Sequence, residues 1–453
     1  MSKTPTNIAI IGAGLTGLTT AFYLKKQGIK FHVFEKTNHV GGVIKTHHES
    51  GFTFESGPNT GALSRPEAAE LFEDLQNDCT LEIADENAKA RWIWMGNKWH
   101  TIPSGLLGGI TTPLFSFSDK LRLLGEPFRK KGSNPEETIA DLVRRRMGKT
   151  FLRNVVDPFI SGVYSGDPEK LVTQYAIPKL YQLEQDYGSF IGGGFKKSRE
   201  AKSDFEKKAT KEVFSAEGGL ENLVKALLKH IGQENITLNC NQLSVNNINE
   251  NYTINKNSEA FSHVVSTAGA HSLSSLFPFL PSGKVEAINQ MQYAKVTQVS
   301  LGFKKWKGIP IKSFGGLVPS EEKRDILGIL LLSSFLKNRA PKNGALLSVF
   351  VGGVRKPEVA TFSDEKVLEL VKREVTTMMG LDEFNPDLVK IFRYKHAIPQ
   401  YSFESKDKLE AISTLENAFP GLLLAGNIRD GIGMADRIKQ GRNIADKLAA
   451  QLA

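Results

Sequence analysis

Ile8-Ala9-Ile10-Ile11-Gly12-Ala13-Gly14-Leu15-Thr16-Gly17, with Phe31-His32-Val33-Phe34-Glu35 beyond it, decides the fold of this chain. The apolar run is a buried strand, a helix is predicted from Leu18 to about Gln27, and a second strand ends on an acid. In such a G-x-G-x-x-G turn the first glycine makes the bend and the second lets a pyrophosphate approach the backbone. The third lets helix and strand pack closely. The helix N-terminus adds free N–H groups and a positive dipole end. Glu35, followed by Lys36, is placed to accept hydrogen bonds from a ribose diol. The segment reads as a dinucleotide site.

The residues after Glu35 narrow the cofactor. Val40-Gly41-Gly42-Val43-Ile44-Lys45-Thr46 resembles the second FAD-contacting segment of amine oxidase-like flavoproteins, and Glu55-Ser56-Gly57-Pro58-Asn59 resembles the flavin-side segment of protoporphyrinogen oxidases. Further blocks come in that family's order. Asp157 to Pro168 resembles its helical signature, and Phe214 to Leu220 its return to the FAD domain. Phe314 to Pro319 and Leu327 to Leu330 resemble its pocket strands. Phe350 to Gly353, Ala397 to Tyr401, and Leu424 to Gly433 complete the set. Over nearly its whole length the chain therefore resembles the oxygen-dependent, FAD-containing porphyrinogen oxidases.

That resemblance implies non-covalent FAD held by Gly12, Gly14, Leu15, Thr16, Gly17, Glu35, Lys36, Gly41, Gly42, Gly57, Pro58, Asn59, Val245, Thr267, Ala268, Gly426, Asn427, Gly431, Ile432 and Gly433. It implies a substrate wall at Phe314, Gly315, Leu317, Leu330 and Phe350, and a catalytic position at Asn59. By spacing alone, the wall residues read as ordinary strand core and Asn59 as a loop cap after Pro58. The implied reaction is oxidation of protoporphyrinogen IX to protoporphyrin IX in haem synthesis. Six electrons pass in pairs through the flavin to molecular oxygen, giving three hydrogen peroxides. Coproporphyrinogen III oxidation is the alternative.

Two positions depart from the family. Leu107 stands where several members carry an arginine that pairs with a substrate propionate; Lys45, Arg91 and Lys98 are candidate replacements. Arg437 stands where a cysteine is common, and either reinforces a positive field at the flavin or faces solvent. Two other functions stay open: an amine oxidase-like or desaturase-like flavoenzyme, and a non-catalytic FAD-fold tetrapyrrole carrier. The first is disfavoured because Gly426 to Gly441 contains no aromatic residue for an amine cage. The nine histidines show no metal-ligand spacing, and no second G-x-G-x-x-G marks a nicotinamide site.

With 453 residues, 40% hydrophobic and 24% charged, the chain exceeds what one core supports, so two or three domains are expected. No apolar run reaches the roughly 18 residues of a membrane-spanning helix. With a first strand at Ile8 no signal peptide is expected, and Cys79 and Cys240 fall in no paired motif. A cytoplasmic setting is expected, with peripheral contact at the inner membrane face. The net charge of +9 suits anionic lipid or a polycarboxylate substrate, while no motif supports nucleic acid. Lysines from Lys196 to Lys211 alternate with acids and read as a solvated helix or linker.

The expected class is α/β: a Rossmann-like FAD-binding domain, a mixed α+β substrate domain and a helical domain expected to associate with membrane. Residues 1–90, 210–285 and 415–453 are assigned to the first, 91–114 and 286–414 to the second, and 115–209 to the third. In detail, Ile236–Leu238 and Tyr252–Ile254 are expected to flank a polar hairpin, and Phe261–Ala268 to return to the sheet. Prolines 127, 135 and 158 are expected to break helices. Strands are expected at Val296–Phe303, Leu346–Val351 and Val389–Phe392, and a helix from just after Gly433 to Leu452. The apolar, glycine-rich stretch from Ser104 to Phe117 reads as a surface-dipping segment or a buried loop.

Overall fold

In the computed structural model, which describes residues 7–103, 112–248, 251–255 and 259–452, the dinucleotide unit is a five-stranded parallel sheet. Its order is Ile236–Thr237, Phe31–Phe34, Ile8–Ile11, His263–Ser266, Leu422–Leu424. Ile8–Ile11 is central and buried throughout because both faces are covered, the usual reason a parallel strand reads as unbroken apolar sequence. Helices Leu15–Lys26, Glu221–Ile231 and Met434–Leu452 cover one face. The other meets a small antiparallel sheet and helices Ser282–Asn289 and Ser405–Ala418.

Several local expectations change. The first helix starts at Leu15, so Gly17 lies inside its first turn rather than ahead of it. Ile236–Thr237 and Asn251–Ile254 flank no common hairpin: the former pairs with Phe31–Phe34, and the latter pairs with Val245–Ile248 and Ala260–Phe261. The predicted return strand accordingly divides, with Phe261 in the small sheet and His263–Ser266 in the parallel one. Pro158 breaks nothing. Leu152–Val156 forms a wide π turn that runs into helix Asp157–Val163, and a proline tolerated in a helix's first turn lacks only an N–H left unpaired there anyway.

The second layer is a seven-stranded sheet ordered Leu388–Pro399, Tyr293–Phe303, Ala345–Gly352, Ile326–Leu330, Gly315–Leu317, Arg91–Met95, Lys98–Thr101. One face packs on helix Asp364–Met379, whose apolar stripe includes Val367, Val371, Val375 and Met378. The other faces the hairpin Lys45–Glu49/Phe52–Ser56 and the residues after it. Helices from Phe117 to Ser198 form a third layer. It is nailed to the mixed sheet by Arg355, which bonds Asp157 at 2.6 Å and Asp167 at 2.8 Å, and by Gln400, which donates to Tyr164 O at 3.0 Å. Leu107 and the stretch 104–111 lie outside the described residues. Just beyond that stretch, Leu114 and Phe115 are buried, whereas Phe117 is exposed.

Candidate active site

The three glycines of the turn have three different surroundings. Gly12 adopts φ +102°, and a Cβ there would meet Thr267 Oγ1 at 2.6 Å; that hydroxyl donates to Ile11 O and Gly12 O. A Cβ on Gly17 would collide with the Gly12 carbonyl, so helix and turn touch backbone to backbone. Around Gly14 nothing lies within 4 Å of such an atom. The middle glycine thus opens on space while its neighbours are packed shut, as a pyrophosphate cradle requires.

Other predicted cofactor residues gather there. Gly41 N donates to Ala13 O at 2.8 Å, and Gly42 comes within 3.3 Å of Gly14 Cα when given a Cβ. Gly426 lies against the Thr267 carbonyl, with Ala268 next in chain, and Leu15 and Thr16 are buried in the first helical turn. Glu35 is buried and accepts from Ala13 N at 2.7 Å and from Thr37 N and Oγ1 at 2.8 Å, while Lys36 is exposed beside it. A carboxylate has about four acceptor sites, so one remains for a ribose hydroxyl. Val245 stands apart. Its side chain is wholly buried in the core beneath the sheet, which leaves only its backbone for a ligand.

Gly431, Ile432 and Gly433 lead directly into helix Met434–Leu452. The turn before that helix is held through its carbonyls. Arg437 donates to Gly426 O, to Arg429 O at 2.8 Å and to Gln440 Oε1 at 2.9 Å; Tyr401 OH serves Asn427 O at 3.2 Å and Gly431 O at 3.3 Å. Arg437 therefore does not face solvent. Its Nε is buried without a partner, and burial pulls the guanidinium below its ordinary value. With the carbonyls engaged behind, the N–H groups of Gly431, Ile432 and Gly433 have no acceptor among the described residues. Free N–H groups at a helix start beside a buried cation suit an anionic or electron-rich ligand.

On the mixed sheet, one transverse row runs Phe392, Gln298, Phe350, Gly328, Leu317, Ile93. The next row on the same face runs Ser300, Ser348, Leu330, Gly315, Arg91. Leu317, Leu330 and Phe350 are half-buried on the face away from helix Asp364–Met379, which separates them from the sheet's own core. Phe314 joins Leu330 in a cluster with Phe335, its ring 4.8 Å away, whereas Leu317 turns to helix Asp157–Val163. The wall is thus two patches bridged by Gly328 and Phe350.

Asn59 is buried; its Nδ2 donates to Gly57 O at 3.3 Å and its Oδ1 accepts from Gln298 at 3.4 Å. Among the described residues nothing donates to its backbone carbonyl. Gln298, which no sequence motif marks, also donates to Glu55 O at 2.8 Å and Ser348 Oγ at 2.9 Å, centring Asn59 over the sheet. No motif marks Arg339 either. It is buried, bonds Glu55, Glu82 and Ser215, and so ties the hairpin to two other elements. Burial raises the Glu55 carboxyl, against bonds from Leu220 N, Thr46 and Arg339.

A family model, flavin containing amine oxidoreductase, matches residues 15–449. Protoporphyrinogen oxidase 2 of Arabidopsis thaliana is 28% identical over 98% of this chain and 94% of its own. Coproporphyrinogen III oxidase of Bacillus subtilis is 25% identical over 98% and 97%. A crystal structure from Exiguobacterium sp. 255-15 superposes over all of both chains with a TM-score of 0.81 at 22% identity, a likeness of fold.

Proposed function

Because the chain belongs to the family of flavin containing amine oxidoreductases, we propose that it is an FAD-dependent, oxygen-using oxidase of protoporphyrinogen IX. Oxidation of coproporphyrinogen III is the second reading, favoured by similarity to the Bacillus subtilis enzyme. The observation that carries the proposal is the row of half-buried Phe350, buried Gly328 and half-buried Leu317, which starts beside the Asn59–Gln298 contact. A broad apolar strip ending at a flavin-side amide suits a flat tetrapyrrole better than a small amine.

Bound FAD supplies a two-electron acceptor that oxygen regenerates. The remaining tasks fall to the chain. Asn59 offers its backbone carbonyl to a substrate N–H, and Phe314, Leu317, Leu330 and Phe350 orient the macrocycle and exclude water. Arg91 is the carboxylate anchor. Only Gly315 separates it from Leu330 in the row, its guanidinium lies 5.5 Å over the Phe314 ring, and it makes no ion pair among the described residues. Lys98 is one strand further out, and Lys45 begins the opposing hairpin.

Aerobic turnover of both porphyrinogens by FAD-loaded protein, followed by porphyrin fluorescence and peroxide, tests this reading. Absence of flavin-dependent turnover of either sinks it. Arg91→Ala is expected to raise KM about tenfold with little change in kcat, the signature of lost uniform binding.

Peripheral membrane contact belongs to the same proposal. Phe117 (77% exposed), Leu121, Leu124 and Phe128 (91%) project from the helical layer near exposed Ile191 and Phe195. Lys130, Lys131, Lys196 and Lys197 lie close to them in sequence, a combination suited to anionic headgroups. Among the described residues no helix is long and apolar enough to cross a membrane. Cosedimentation with phosphatidylglycerol vesicles, lost in Phe117→Ser/Phe128→Ser, is the expected result; equal recovery with neutral vesicles would leave the cationic contribution without support.

A further inference from the structure

Lys408, on helix Ser405–Ala418, is 1% exposed and has no acid within ion-pair distance among the described residues. Its Nζ meets Met291 Sδ at 3.2 Å and lies 4.4 Å from the centroid of the Tyr401 ring. The adjoining void, about 10 Å³, holds at most one water, and Glu404, which also lines it, makes no ion pair with Lys408. A buried ammonium left with a thioether and a ring face is costly, and its retention asks for a reason. The ring it covers belongs to the tyrosine whose hydroxyl serves Asn427 O and Gly431 O.

We propose that Lys408 is a positioning residue of the flavin site, clamping the Tyr401 ring so that its hydroxyl holds the turn from Asn427 to Gly431. The inference rests on assigning that turn to FAD, and is independent of which substrate is oxidised. A cation over the ring draws electron density from the phenol, which makes its O–H the stronger donor to the two carbonyls. With those carbonyls held, the N–H groups beyond them stay turned to the ligand side.

The clamp is pH-dependent. Burial alone pushes the Lys408 amine down to about 8, so its charge is lost in mild alkali. The titratable neighbours do not substitute for it. Asp407 and Glu410 on its own helix line a separate surface groove with Lys284, and Glu404, exposed and lining the same small void as Lys408, is bonded to Ser402 rather than to the amine. Tyr175 faces Glu410 and Asp407, while Tyr293, Asp430 and Arg437 surround Tyr401, whose own hydroxyl burial raises far out of this range.

FAD affinity and the flavin midpoint potential, measured from about pH 6.5 to about 9 on wild type, Lys408→Met, Lys408→Arg and Tyr401→Phe, test the proposal. Wild type is expected to bind FAD about threefold more weakly above the transition near 8 than below it, the scale of one cation–π contact. Lys408→Met is expected to be flat at the weaker level, Lys408→Arg flat at the tighter one, and Tyr401→Phe insensitive to pH. A transition that persists in Lys408→Met or in Tyr401→Phe overturns the proposal. Should Lys408→Met fail to fold, Tyr401→Phe decides alone. Loss of porphyrinogen turnover with this pattern intact would count against the substrate reading only.

Discussion

The two ends of the chain meet around one proposed cofactor site and hold their backbones by opposite means. At the N-terminal turn the fit is mainly steric, with only the short Thr267 hydroxyl and the Glu35 carboxylate bonding the backbone: Gly17 rests on the Gly12 carbonyl, Gly42 on Gly14, and Gly14 faces open space. At the C-terminal turn long side chains do the holding, with Arg437 and Tyr401 together taking four carbonyls and Lys408 behind them. Glycine contacts are rigid, and any side chain at the packed positions costs stability. Carbonyls held by charged and aromatic groups can be tuned, and the proposed Lys408 clamp would make them answer to pH.

Four substitutions would break or sharpen that contrast. Gly14→Glu should abolish FAD binding in a protein that still folds, because it fills the one open side of the turn; stoichiometric flavin after purification would refute this. Gly17→Ala should instead cost roughly 1–3 kcal/mol in stability through overpacking against Gly12, read as a fall in the apoprotein's Tm. Arg437→Met should leave the fold standing and weaken FAD about tenfold or more, since carbonyl bonds from a charged donor are each worth roughly 1.5–3 kcal/mol. Flavin titration would reveal the difference.

The fourth effect has an unusual sign. The folded amine of Lys408 titrates near 8, below the ordinary lysine value of about 10.4. Below both values the folded state bears a buried charge. Between them the folded state sheds a proton that the unfolded chain keeps, so stability rises with pH through that window and then levels. Lys408→Met should therefore raise the apoprotein's Tm at pH 7, by up to roughly 3 kcal/mol in stability, and flatten this rise. Thermal melts at two pH values suffice. Unchanged melting would mean that the amine is neutral or solvated.

Legibility divides the same way. The strand Ile8–Ile11, the turn and the acid Glu35 can be read directly because short-range sterics and burial leave few alternatives. The helix Met434–Leu452 is equally plain. Arg437 is ambiguous in sequence: its position in the first helical turn says nothing about what covers it, and the cover comes from residues 426–429 folding back. Gln298 and Arg339 give no signal, since a single polar residue in a strand or loop acquires meaning only from partners 243 and 284 positions away. Local pairing misleads at Tyr252, whose strand finds Val245–Ile248 rather than the earlier run.

By itself the sequence determined the strand, the glycine turn and the acid of a dinucleotide-type unit, because these rest on backbone conformation and burial; the further cofactor segments and the apolar wall were legible only through the family resemblance, since strand period alone reads those wall residues as core. Tertiary structure alone decided that Gln298 centres Asn59, that Arg91 adjoins the wall across Gly315, and that Lys408 is buried on Tyr401. Those outcomes depend on strand register and on which long side chains are excluded from water, and both are set only when distant segments pack.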